Sequence, residues 1–182
     1  MDGRSTEGAI VDVETRSPDE TELVAGEVAS LCREGDVLLL VGPLGAGKTV
    51  FVRGFAKAKG VQSRVTSPTF TIAQRYRGDV DIHHLDLYRL ERLSELEDAA
   101  LEDLVGGDGI VLVEWGDLAA GALGPEVLEV RIRLGDEPTS RRIFFAARGT
   151  SWADRVVELG RILRARSQRW RRPTLGHADD VA

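Results

Sequence analysis

Eight residues restrict the fold of this chain more than all the others together: Gly42-Pro43-Leu44-Gly45-Ala46-Gly47-Lys48-Thr49, a G-x-x-x-x-G-K-[ST] phosphate-binding loop. Both flanks suit it. Residues 36–41 (DVLLLV) read as an apolar strand, and residues 49–60 (TVFVRGFAKAKG) read as a helix. Glycines between a strand and a helix let the backbone curl, so that successive N–H groups face inward and hold phosphate oxygens. The helix N-terminus adds about half a positive charge at the same place. In that setting Lys48 reaches the outer phosphates as a point charge, and the Thr49 hydroxyl can ligate Mg²⁺. An ordinary glycine turn is the competing explanation, and four fixed positions with correct flanks leave it little room.

A chain of 182 residues is the size of one domain. We expect residues 1–163 to form the phosphate-loop domain and residues 164–182 to form a flexible tail, since residues 161–172 hold six arginines and no acid. Over the whole chain acids still dominate: 30 Asp and Glu against 24 Lys and Arg leave a net charge of −6. A domain that gripped nucleic acid by itself would be basic, so contact with RNA is expected only locally or through a partner, and DNA is not expected. A single cysteine, Cys32, excludes an intrachain disulfide and a cysteine zinc cluster; its place on an amphipathic helix suggests an apolar filler. No apolar run reaches the roughly 20 residues that a membrane span needs. The first ten residues lack a signal-peptide core, and a cytoplasmic location is expected.

The order of elements predicts an α/β fold: one domain with a mixed sheet, helices on both faces, antiparallel hairpins, and the phosphate loop at the C-terminal end of a central strand. Residues 9–15 read as a first strand. Ser17-Pro18-Asp19-Glu20 opens a helix, with Ser17 as N-cap, Pro18 in the first turn and Glu20 closing a capping box. Residues 70–76 and 80–88 form a hairpin across the turn Arg77-Gly78-Asp79. Residues 94–104 carry Leu96, Ala100 and Leu104 on one helical face. Residues 110–113 (IVLV) suit a strand buried on both faces. Residues 127–134 and 141–147 make a second hairpin, and residues 152–163 a last helix.

Turnover of a nucleotide needs acids beside the loop. Glu114 directly follows the apolar run at 110–113, where a metal-side carboxylate emerges in such folds. Asp86 lies in His83-His84-Leu85-Asp86-Leu87-Tyr88-Arg89-Leu90, and period-2 alternation puts His84 and Asp86 on one strand face, Leu85 and Leu87 on the other. Each acid has an alternative as a solvated strand end. His83 and His84 point to opposite faces and cannot chelate one ion together; a hydrogen-bonded structural histidine is favoured over a ligand. In Ser67-Pro68-Thr69-Phe70, Pro68 stiffens the backbone and presents the Thr69 hydroxyl. Thr69 either senses a γ-phosphate or merely leads into a strand. The chain contains no asparagine, so the guanine-reading N-K-x-D motif is impossible, which tilts the base towards adenine.

Together GPLGAGKT at 42–49, SPTF at 67–70, HLDLYRL at 84–90 and VLVEW at 111–115 resemble one family, TsaE, the bacterial ATPase of tRNA threonylcarbamoyladenosine synthesis, over about residues 10–160. The resemblance implies an ATP site made by Pro43, Leu44, Gly45, Ala46, Gly47, Lys48, Thr49, Val50, Thr69 and Trp115. Lys48, Asp86 and Glu114 would be its catalytic residues, and Thr49, Asp86 and Glu114 would serve Mg²⁺ directly or through water. Thr69 would belong to a switch-like loop. Trp115 corresponds to a tryptophan typical of the family, and core filling is its equal alternative. The resemblance further implies association with TsaD and TsaB, which modify adenosine 37 of tRNAs reading ANN codons. ATP hydrolysis would reset that complex, and tRNA would be met only through it.

Two features depart from the family pattern. Gly116-Asp117 stands where a proline often follows the tryptophan, and the arginine-rich tail is longer than usual. The tail either touches tRNA or keeps the last helix soluble, the second being favoured. Weak hydrolysis in isolation is expected, because no arginine finger has a motif of its own; Arg53, Arg75, Arg89 or a partner's arginine are the candidates. Two other functions stay open on the same scaffold: a nucleotide-gated binding module without useful turnover, and a small-molecule kinase.

Overall fold

The computed structural model describes residues 10–68, 71–88, 107–115 and 123–170. They form a seven-stranded mixed sheet in the order β1-β7-β6-β2-β5-β4-β3. The strands are β1 (Ile10–Thr15), β2 (Val37–Val41), β3 (Ala73–Tyr76), β4 (Ile82–Asp86), β5 (Ile110–Glu114), β6 (Val127–Leu134) and β7 (Arg141–Arg148). β2 lies fourth of seven and runs parallel to both neighbours, β5 and β6; β4 in turn is parallel to β5. Such a strand is covered on both faces, and its sequence, VLLLV, has no polar residue to offer solvent. The two hairpins, β3–β4 and β6–β7, are antiparallel, and β1 closes one edge against β7.

Three helices are described: α1 (Pro18–Leu31), α2 (Lys48–Ala58) and α3 (Ala153–Trp170). The start of α1 is the capping box expected from sequence. Ser17 Oγ accepts from Glu20 N at 3.2 Å, and Glu20 returns the bond by accepting from Arg16 N at 2.7 Å. All three helices share one core with one face of the sheet, in which Val24, Val28, Phe51, Phe55, Trp152 and Leu159 meet Leu38, Leu40 and Leu112. Val37, Leu39, Leu85, Val111 and Val113 form a second cluster on the opposite face. Period-2 alternation thus divides every central strand between the two cores. The helix expected at 94–104 lies outside the described residues.

Among the boundaries that differ from the sequence expectation, three bear on the packing. β3 begins at Ala73, because Ile72 takes a positive φ of 64° that a strand cannot hold. α3 runs through Trp170, seven residues beyond the expected end at 163. The first arginines after Leu163 are therefore helical, and Arg166 pairs with Glu27 of α1. Third, Gly35 reads in the sequence as the stop of α1, yet the helix closes three residues earlier with Cys32 as its C-cap. Cys32 is the buried filler expected, and burial pushes its thiol far above the usual range. No helix among the described residues is long and apolar enough to cross a membrane.

Candidate nucleotide site

β2 delivers the chain to residues 42–47, and α2 begins at Lys48. The turn depends on glycine: Gly45 and Gly47 have φ of 76° and 103°, in the left-handed region that side chains disfavour. Gly42 is required for a different reason, because a Cβ there would stand 2.4 Å from the Ile132 carbonyl oxygen of β6. Lys48 Nζ donates to the carbonyls of Gly42 (2.8 Å) and Pro43 (3.1 Å) and lies 3.9 Å from the centroid of the Trp115 ring. Trp115 also meets Tyr88, with ring centroids 4.9 Å apart, and its own backbone has a positive φ of 62°.

The two acids come together. Asp86 and Glu114 are register partners at the ends of β4 and β5, each only 4 % exposed, so the solvated strand-end alternative fails for both. Glu114 Oε1 accepts from Thr49 Oγ1 at 2.7 Å and meets His84 Nε2 at 3.0 Å. An ionised carboxylate only accepts, so the ring nitrogen facing it carries the proton. Asp86 accepts from Ser67 Oγ at 2.7 Å and from the Tyr88 N–H at 3.1 Å. A cleft of about 400 Å³ opens over these groups; Lys48, Thr49, Ser67, Asp86, Glu114 and Trp115 line it, together with Leu44, Gly45, Gly47, Val50 and Tyr88. Pro43 and Ala46 belong to the loop without lining the cleft. Leu44 is 77 % exposed and Tyr88 50 %. A larger hollow of about 660 Å³ beside β1 is lined by no residue of the phosphate loop.

This donor set has a definite chemistry. Thr49, Ser67, Asp86 and Glu114 supply oxygen only. Among the described residues no cluster of three or more His, Cys, Asp or Glu side chains is arranged to hold an ion unaided. Mg²⁺ takes one or two carboxylates and completes its shell with waters and substrate phosphates, so the residues present fit it.

Thr69 lies outside the described residues, as does Arg89. Arg53 and Arg75 are occupied elsewhere: Arg53 bonds to Glu22 at 3.2 Å, and Arg75 bonds to Asp81 through Nε at 2.9 Å. Sequence reasoning missed three residues. Ser67 stands in the motif at 67–70, and its hydroxyl bonds to Asp86. His84 shares the strand face of Asp86 and is structural in the sense expected, yet its partner is Glu114. Its Nδ1 is buried with no hydrogen-bond partner among the described residues. Arg141 carries no local signal at all. Its guanidinium donates to the carbonyls of Ala46 (Nε, 2.8 Å) and Gly45 (Nη2, 3.1 Å) from the far end of the chain.

The family model for "Threonylcarbamoyl adenosine biosynthesis protein TsaE" matches residues 15–143. The tRNA threonylcarbamoyladenosine biosynthesis protein TsaE of Bacillus subtilis is 42 % identical over 149 residues, which cover 81 % of this chain and 92 % of that protein. The protein of the same name from Streptomyces coelicolor is 39 % identical over 139 residues, covering 72 % and 93 %. Among solved structures, the crystal structure of Bacillus subtilis YdiB superposes with a TM-score of 0.71 at 33 % identity, covering 88 % of this chain and 97 % of that one.

Proposed function

The chain belongs to the TsaE family of threonylcarbamoyl adenosine biosynthesis proteins, and from that premise we propose that it binds ATP with Mg²⁺ and hydrolyses it to ADP and phosphate. The hydrolysis serves the machinery that places threonylcarbamoyl on adenosine 37 of ANN-decoding tRNAs. Its role is to reset a complex of TsaB and TsaD homologues between turnovers. One observation carries this reading: the 2.7 Å bond from Thr49 to Glu114, which joins the phosphate loop to the acid at the end of the adjacent strand. A binding loop alone needs no such acid, whereas turnover does.

In this reading the loop amides and Lys48 hold the phosphates, with Thr49 and Asp86 as the residues that would hold Mg²⁺ directly and Glu114 serving it through water. When bound, Mg²⁺ neutralises charge that develops on the phosphate oxygens. Lys48 leaves its carbonyl acceptors and the Trp115 ring to meet the ligand. Glu114, fixed by Thr49 and His84, orients the attacking water and accepts its proton. Asp86 is held in one rotamer by Ser67 and the Tyr88 amide. The acidic chain reaches tRNA only through its basic partners, and the assembly works in the cytoplasm.

The test is capture of TsaB and TsaD homologues by this chain with ATP, with ADP and with no nucleotide, followed by measurement of phosphate release. We expect nucleotide-dependent capture and faster release in the complex. Absence of hydrolysis even with both partners would turn the reading to a nucleotide-gated binding module. Phosphate transferred to a metabolite instead of water would turn it to a kinase.

A further inference from the structure

The nucleotide loop is held from outside by a residue with no place in the phosphate-loop motif. We propose that Arg141 is a positioning residue for phosphate recognition, which braces the loop so that the Gly47 N–H faces inward before a ligand arrives. The inference rests on the nucleotide reading of the loop. Arg141 opens β7, directly after the turn that joins β6 to β7. Its guanidinium donates to four carbonyls: Nη1 to Pro138 (2.9 Å) and Ser140 (2.6 Å), Nε to Ala46 (2.8 Å) and Nη2 to Gly45 (3.1 Å). The first two lock the side chain to the hairpin. The last two transfer that rigidity to the loop.

A planar trans peptide makes this consequential. Its C=O and N–H point in opposite directions, so holding the Ala46 carbonyl on Arg141 aims the Gly47 N–H the other way. Ala46 is flanked by Gly45 and Gly47, both at positive φ, and glycine backbones move easily between basins. A loop built for curvature is therefore the one that needs an external brace. The guanidinium is a rigid planar fork that serves all four carbonyls at once, whereas an ammonium offers three donors on a flexible stem. Its charge also polarises the peptides it binds and strengthens their opposite N–H donors. Among the described residues no carboxylate pairs with Arg141; all four acceptors are carbonyl oxygens, so its positive charge remains available beside the anion site.

The experiment compares the full chain with Arg141→Met, which keeps the length and removes the donors, and Arg141→Lys, which keeps the charge without the fork. Each is titrated calorimetrically with Mg-ADP at a temperature where circular dichroism shows it folded. The Gly47 amide is followed by ¹⁵N–¹H NMR without ligand. We expect Arg141→Met to raise the Kd on the order of tenfold, the scale of one charge-assisted contact. Arg141→Lys should fall between. The Gly47 amide resonance should move in both, a signature that a loss of bulk stability does not produce. Wild-type affinity in folded Arg141→Met, or in Arg141→Lys should the methionine variant not fold, overturns the proposal while leaving the nucleotide reading intact. Absence of heat from the wild type itself overturns that reading and this one together.

Discussion

Asp86 and Glu114 stand side by side as register partners on adjacent parallel strands, both buried and both acidic. Neighbouring strands lie about 4.8 Å apart, so two carboxylates here repel unless something between or beside them compensates. The protein gives each its own donors, Ser67 and the Tyr88 amide for one, Thr49 and His84 for the other. Two buried carboxylates with separate donors suit the divalent cation proposed for this site.

Replacing either carboxylate by its amide separates the proposed roles. Glu114→Gln should lower phosphate release on the order of 10²-fold or more, the scale of a lost general base, while Mg-ADP still binds. Asp86→Asn should weaken the Mg²⁺ dependence of binding as well as turnover. Single-turnover hydrolysis beside calorimetry checks both, and wild-type turnover in Glu114→Gln would falsify its assignment.

The contact of Lys48 with Trp115 supplies an optical probe. A cation 3.9 Å from the indole centroid must leave when Lys48 moves to a phosphate. Addition of ADP should change tryptophan emission, and the change should vanish in Trp115→Phe, in which Trp152 and Trp170 remain. An identical response in that variant would place the signal elsewhere.

Gly54 lies inside α2, where propensity alone disfavours it. A Cβ there would stand 2.4 Å from both Cα and the carbonyl oxygen of Glu22 in α1. Gly54→Ala should therefore force the two helices apart and destabilise the fold by about 1–3 kcal/mol, despite the better helix former. Urea denaturation decides this; a stabilised variant would show that α1 yields without cost.

Glu129 ties β6 to β7 through Arg148 and also pairs with Arg131, two residues along its own strand, at 2.5 Å. Burial pushes its carboxyl up, but the hydrogen bonds and charges of the two arginines outweigh that and hold it below the ordinary value. A carboxyl depressed only in the folded state contributes its full stability above its unfolded pKa and loses it as pH falls through the folded value. The wild type should thus lose stability below about pH 5. Glu129→Gln should cost about 1–2 kcal/mol at pH 7, discounted for half-exposed arginines, and flatten that acid limb. Thermal melts from pH 7 to 3 measure both.

The parts of the fold that were legible are those in which local chemistry acts alone. Ser17 and Glu20 announce a capping box within four residues. Alternation at His84, Leu85, Asp86 and Leu87 assigns strand faces because the β period is two. The ends were less legible. Arginines 164 and 166 suggest a solvated tail, yet the helix continues through them, with Arg166 anchored to a glutamate in another helix.

By itself the sequence determined the phosphate-loop motif and the central apolar strand and marked both acids as candidates, since each is written in adjacent residues whose backbone preferences and hydrogen-bonding capacity are local. Only the tertiary structure decided which groups meet across 65 residues at Glu114 and across 95 at Ala46. Those meetings depend on strand order. β4 beside β5 sets Asp86 against Glu114, and the hairpin of β6 and β7 carries Arg141 to the loop. Strand order is chosen by burial of whole faces, a sum over the chain that no short motif contains.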